Sequence, residues 1–107
     1  MTYKPWSAGP TPPPPQSLDR PVWVDLDRLY GEPGKSLEID GQLPAGLLVA
    51  TGRVPGLLKR WIRAVDGRWF GLVDFALCDA YGAVQARVER APVPGAVLSI
   101  REMEPRR

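Results

Sequence analysis

The chain has 107 residues with 14 basic and 12 acidic side chains, no histidine and one cysteine, Cys78. That length bounds the answer to one small domain plus a tail, and the single cysteine excludes an internal disulfide. Without histidine the Ser-His-Asp and Cys-His catalytic arrangements and most zinc sites fall away, and no apolar run is long enough to suggest a membrane span.

Residues 1–21 hold Pro5, Pro10, Pro12 to Pro15 and Pro21. Such a stretch favours an extended polyproline conformation and continues neither a sheet nor a helix, so it is expected to be a proline-rich arm ahead of the domain. Its opening, Met1-Thr-Tyr-Lys-Pro, lacks the apolar stretch of a signal peptide, and cytoplasmic residence is the expectation. The arm also carries Tyr3 and Trp6, which suits a ligand for an aromatic groove, a spacer, or a segment packed on its own domain.

Val22-Trp-Val-Asp-Leu26 alternates as a short strand does, whereas Asp25 to Tyr30 also reads as a helical turn capped by Asp25 and stopped by Gly31. Residues 31–46 are rich in glycine, proline and charge and read as a long loop. Within them Gly34-Lys35-Ser36 looks like the end of a phosphate-binding loop, but Leu29 stands where that pattern needs its first glycine, and a surface turn is the better reading. Leu47–Val54 is a strand candidate, ended by a turn at Pro55-Gly56.

Asp66-Gly67, between the apolar-patterned Leu57–Val65 and Arg68–Asp79, is a strong hairpin signal. A two-residue turn pairs Val65 with Arg68. One face then carries Leu58, Arg60, Ile62 and Ala64 opposite Phe75, Val73, Gly71 and Trp69. A second turn near Tyr81-Gly82 sets Val84, Ala86 and Val88 opposite Asp79, Leu77 and Phe75, so both hairpins use the same face of the middle strand. Arg60 and Arg90 both fall opposite Val73 in this register, which makes that row the rim of the core, or an anion site. Pro92-Val-Pro-Gly95 is expected to break the ladder, Val97–Glu102 to be a last strand with Leu98 and Ile100 on one side, and 104–107 to fray.

The sum is an all-β fold of five or six antiparallel strands with no convincing helix, over residues 22–103. A long loop, a hairpin pair, a proline-bounded break and a short closing strand resemble an SH3-like small barrel, an architecture that hosts many functions. The stretch Asp66-Gly-Arg-Trp-Phe-Gly-Leu-Val-Asp-Phe and the later Pro92-Val-Pro-Gly are similar to short uncharacterised proteins of actinobacteria. That resemblance covers about half of the chain and implies no known activity. Arginine outnumbers lysine 11 to 3, as GC-rich codon usage would give without any functional demand.

Charge is uneven. Residues 19–40 hold Asp19, Asp25, Asp27, Glu32, Glu38 and Asp40 against Arg20, Arg28 and Lys35, a net of −3. Residues 53–68 hold Arg53, Lys59, Arg60, Arg63 and Arg68 against Asp66, a net of +4. The basic segment either meets phosphate or pairs with the acidic one. Asp25 and Asp27 would share a strand face, but no further acid joins them and they read as solvated acids. Cys78 has no evident cation to lower its pKa and reads as inert.

On the outer hairpin face the expected register groups Trp61, Phe70 and Leu72, bordered by Lys59, Arg63 and Arg68. This strip reads as a second core face under residues 22–54, as a protein-binding patch, or as a platform for nucleic acid. The expected function is a non-enzymatic module that binds a protein partner through Trp61, Arg63, Arg68, Phe70 and Leu72, with no cofactor or metal. The alternative is a small nucleic-acid-binding regulator using Arg53, Lys59, Arg60, Arg63 and Arg68.

Overall fold

Val22 and Val24 alternate with Trp23 and Asp25, and this period of two makes Arg20–Asp25 the first strand, β1, with both valines fully buried. The computed structural model describes residues 19–101; most of the proline-rich arm and the end expected to fray lie outside the described residues. At Asp25 the chain passes into a five-residue helix, α1 (Leu26–Tyr30). The Arg28 N–H donates to Asp25 Oδ1 at 3.2 Å, and Gly31, at φ 97°, stops the helix by donating to the Asp27 carbonyl. Strand and helical turn, alternatives in the sequence, occur one after the other, so the expectation of no helix is corrected.

Four further strands follow: β2 (Arg53–Arg63), β3 (Trp69–Cys78), β4 (Val84–Pro94) and, after a 3₁₀ turn at Gly95–Val97, β5 (Leu98–Ile100). They form one antiparallel sheet in the order β4-β3-β2-β1-β5. Among the described residues the fold is therefore all-β, five antiparallel strands with the one short helix α1. Among the described residues no helix is long and apolar enough to cross a membrane.

Two proline expectations are corrected. Pro55-Gly56 is no turn but part of β2, where Pro55 precedes Gly56, the first β2 residue with a β3 partner. Pro92 and Pro94 do not break β4, which pairs with β3 through Leu72–Pro92 and Phe70–Pro94. An edge strand tolerates proline because one side of it has no ladder to lose, and β4 is an edge. Residues 47–52, expected as strand, are loop.

The hairpin register differs from the expected one by a single residue. The Ala64 N–H bonds to the Arg68 carbonyl (2.8 Å) and the Gly67 N–H to the Ala64 carbonyl (3.0 Å), so the loop is Val65-Asp66-Gly67. Only Gly67, at φ 92°, takes a positive φ there. A two-residue primed turn would force Asp66 into the left-handed region too, at a cost of about 1–2 kcal/mol. Instead the Asp66 carboxylate accepts from the Arg68 N–H (3.1 Å) and Arg68 Nε (2.9 Å). The β3–β4 loop repeats the arrangement, with Asp79 N–H to the Ala83 carbonyl and Gly82 at φ 89°.

One residue of slip exchanges the two faces of a strand. Trp61 consequently pairs with Gly71 and points inward. A bulge at Lys59 then resets the alternation, so that Leu58, opposite Val73, also points inward. In β4, Glu89 and Arg90 together face the single Asp74, which sets Ala91 rather than Arg90 opposite Val73. Both arginines expected at the core rim are thereby exposed. Between the bulges the second hairpin keeps the expected pairs Phe75–Val88 and Leu77–Ala86, whereas Val84 pairs with Cys78 instead of Asp79.

The core occupies one face of the sheet: Val22, Val24, Leu26, Leu58, Trp61, Val73, Phe75, Leu77, Val93, Val97 and Leu98. Leu98 of β5 reaches so close to β3 that a Cβ on Gly71 would lie 2.9 Å from its Cδ1. In a flat sheet those strands would be about 14 Å apart. The sheet therefore curls over its apolar face and brings β5 toward β3 across a shared core.

Candidate functional site

The expected hairpin patch is not assembled. Trp61 is 3% exposed within the core, while Phe70 and Leu72 stand half-buried on the opposite face. Arg68 lies over the Phe70 ring (5.1 Å), and Arg63 over the Trp69 ring (4.9 Å), with its Nε donating to the Gly67 carbonyl. What the outer face does bring together is Phe70 paired with Ile62, Leu72 paired with Arg60, and Arg68 above them.

The basic set is also divided. Arg53 stacks on Trp23 of β1 (4.6 Å). Lys59 Nζ bridges Asp19 (2.8 Å) and Asp74 (3.8 Å), and the hydrogen bond to Asp19 chiefly raises its pKa. Arg60, Arg63 and Arg68 remain exposed. The acidic and basic segments thus meet at Lys59–Asp19, while Arg53 and Arg63 rest on aromatic rings.

Asp25 and Asp27 serve the backbone: Asp25 caps α1, and Asp27 Oδ1 accepts from the Gly52 N–H at 3.1 Å. Among the described residues no group of three or more potential ligands could hold a metal ion. Cys78 is half-buried and free, and its carbonyl accepts from the Val49 N–H at 2.8 Å.

A different site emerges from residues 31–52, the segment with fewest sequence signals. This loop connects α1 to β2 and is pinned at intervals. Ile39 and Gln42 form an isolated bridge. Further along, Gly46 N–H donates to Asp79 Oδ2 (3.0 Å) and Tyr81 Oη to the Leu43 carbonyl (2.6 Å). At its end Gly52 ties back to α1 through the Leu26 N–H (2.7 Å). Asp79 is the anchor: its carboxylate also accepts from the Tyr81 and Ala83 N–H groups, both at 2.9 Å. Accepting from Gly46 first, then from Ala83 and Tyr81, holds its pKa below the ordinary carboxylate value.

Pinned in this way, the loop lines an open cleft of about 830 Å³ whose walls include Tyr30, Leu37, Leu43, Leu47, Leu48 and Ala80. These side chains are not packed away: Leu37 is 68% exposed, Leu48 47% and Tyr30 51%. Seven of the twelve exposed large hydrophobic residues described, Tyr30 at the end of α1 and Leu37, Ile39, Leu43, Leu47, Leu48 and Val49 in the loop, fall between positions 30 and 49, which marks this stretch as an unpartnered apolar surface. The sequence did carry a signal, since so many aliphatic residues in a segment too rich in glycine and proline for a regular element have no core of their own to enter.

Comparison with protein-family models, with curated proteins and with solved structures finds no match to the chain.

Proposed function

We propose that this domain is a non-enzymatic interaction module that docks an extended apolar segment of a protein partner in the cleft between residues 31–52 and the β3–β4 turn. The concentration of exposed aliphatic side chains along Tyr30–Val49 carries the reading. A large exposed apolar surface costs solubility unless a partner covers it, and a cleft of this size accepts a few side chains of a docked segment. The flanking acids Asp27, Glu32, Glu38 and Asp40, against Arg28 and Lys35, favour a partner segment with positive charge.

An SH3-like kinship belongs to the same proposal. In its favour are the strand order β4-β3-β2-β1-β5, the long β1–β2 connection, the two hairpins and the 3₁₀ turn before the closing strand. The single cysteine accords with a cytoplasmic setting.

Selection from a random peptide library on the full chain tests the function. Enriched peptides should bind the parent and lose at least about tenfold in affinity on Leu48→Asp, the equivalent of about 1.4 kcal/mol. No enrichment, or equal binding to the variant, overturns it.

A second reading rests on the outer face, where Arg60 and Arg68 stay exposed beside Phe70. It makes the protein a nucleic-acid binder, with bases stacking on Phe70 and arginines at phosphates. Its test is salt: the logarithm of the affinity for single-stranded DNA or RNA must fall linearly with log salt, and binding must weaken on Arg60→Glu. An absence of binding at low salt disposes of it.

A further inference from the structure

The chain's own first residues have the chemistry the cleft would select. Residues 1–18 contain no acid, one lysine (Lys4), the aromatics Tyr3 and Trp6, and Pro5, Pro10 and Pro12–Pro15. The cleft they would meet is apolar with a small acidic excess, Asp27 and Glu32 against Lys35 along its walls, and Glu38 and Asp40 lie in the same loop. Prolines have no N–H to leave unsatisfied on leaving water, and their restricted φ reduces the entropy lost on docking. Two independent features, charge sign and apolar character, therefore match between segment and cleft.

Reach is sufficient. The cleft lies beside α1, at the far end of β1 from Asp19. The six residues of β1 span about 20 Å and the five of α1 about 8 Å. At about 3.1 Å per residue, roughly nine residues of extended chain cover that distance. Eighteen residues precede Asp19, so residues 3–6 have chain enough to reach the cleft.

We propose that Tyr3–Trp6 dock in the cleft of their own chain, so that a partner must displace them. The proposal rests on the cleft being a docking site, as argued above. It turns that site from a constitutively open one into one regulated by an internal competitor. A bound fraction of arm reduces the apparent affinity for any partner by the fraction of cleft left free.

The test uses the full chain and its Trp6→Ala and Lys4→Glu variants, read by backbone amide shifts. Trp6→Ala should move amides across Leu43–Gly52 and leave those of Val84–Glu89 in place, Lys4→Glu should move those near Asp27 and Glu32, and neither set of changes should depend on protein concentration. Shifts confined to the neighbours of the substituted residue overturn the proposal. Shifts that disappear on dilution also overturn it, because they place the segment in another copy. Library-selected peptides provide the second readout. They should bind Trp6→Ala about threefold or more tightly than the parent. Equal affinity overturns the competitor while leaving the cleft as a docking site. Failure of selection with the amide shifts intact removes the external partner instead.

Discussion

Asp74 accepts a 2.7 Å hydrogen bond from the backbone N–H of Arg90, a non-glycine residue held at φ 49° in the middle of β4. The two explain each other. The bulge leaves a backbone donor pointing at no ladder partner, and the carboxylate opposite supplies the acceptor. On its other side the same carboxylate faces Lys59, the bulged residue of β2. One acid thus sits between the two irregularities that keep Arg60 and Arg90 out of the core. Asp74→Ala should destabilise the fold by about 1.5–3 kcal/mol in urea denaturation, the range for a hydrogen bond to a charged group. Asp74→Asn, which retains an acceptor oxygen, should lose clearly less. Equal losses would mean that charge alone matters at this position.

Trp61 and Phe70 separate the two faces of the first hairpin. Trp61→Ala removes a core side chain and should cost about 3–5 kcal/mol. Phe70→Ala, on the half-buried outer face, should cost about 1–2 kcal/mol or less. Thermal or chemical unfolding of the two variants checks the order, and comparable small losses would instead fit the two-residue turn, whose register sets both side chains on one outer face.

That order also shows how far the sequence could be read. Alternation identified β1, β3 and the Phe75–Val88 and Leu77–Ala86 pairs, because apolar periodicity is a local property. It could not tell a two-residue turn from a three-residue loop at Asp66-Gly67, since both fit the same dipeptide and differ in whether Asp66 adopts positive φ. The bulges at Lys59 and Arg90 were signalled only by their consequence, two arginines assigned to a core row. The cleft escaped the pattern entirely: Leu37, Leu43, Leu47 and Leu48 follow no period, and their place is set by tethers from Asp79 and Tyr81, more than 30 residues away in the chain.

Gly71 marks where β5, at one edge of the curled sheet, meets β3 across the core. A Cβ there would lie 2.6 Å from Leu58 Cδ1 and 2.9 Å from Leu98 Cδ1, both in fully buried side chains. Gly71→Ala should therefore destabilise by about 1–3 kcal/mol through overpacking. Gly34→Ala, where a Cβ meets open space, should stay within about 0.5 kcal/mol of the parent. A neutral Gly71→Ala would show that β5 does not close against β3.

Asp79 makes the loop tether pH-dependent. Its folded-state pKa is depressed, so its contribution is complete above the ordinary carboxylate value of 3.8 and is lost as pH falls through the lower folded value. Hydrogen exchange at the Gly46 amide, corrected for the intrinsic rate, should lose protection in that acid range. Asp79→Asn should show weak protection already at neutral pH and no further loss on acidification from this group. Protection in the variant equal to the parent's would remove Asp79 as the anchor.

On the proposal above, this domain meets its partner in the cleft beside residues 31–52. Amide-shift mapping of the full chain, titrated with its best library-selected peptide, addresses it most directly. The shifted amides should cluster in Tyr30–Gly52 and at Asp79–Gly82, with the outer-face residues Arg60, Phe70 and Leu72 unmoved. Shifts centred on those outer residues, with the 30–52 segment silent, would contradict it.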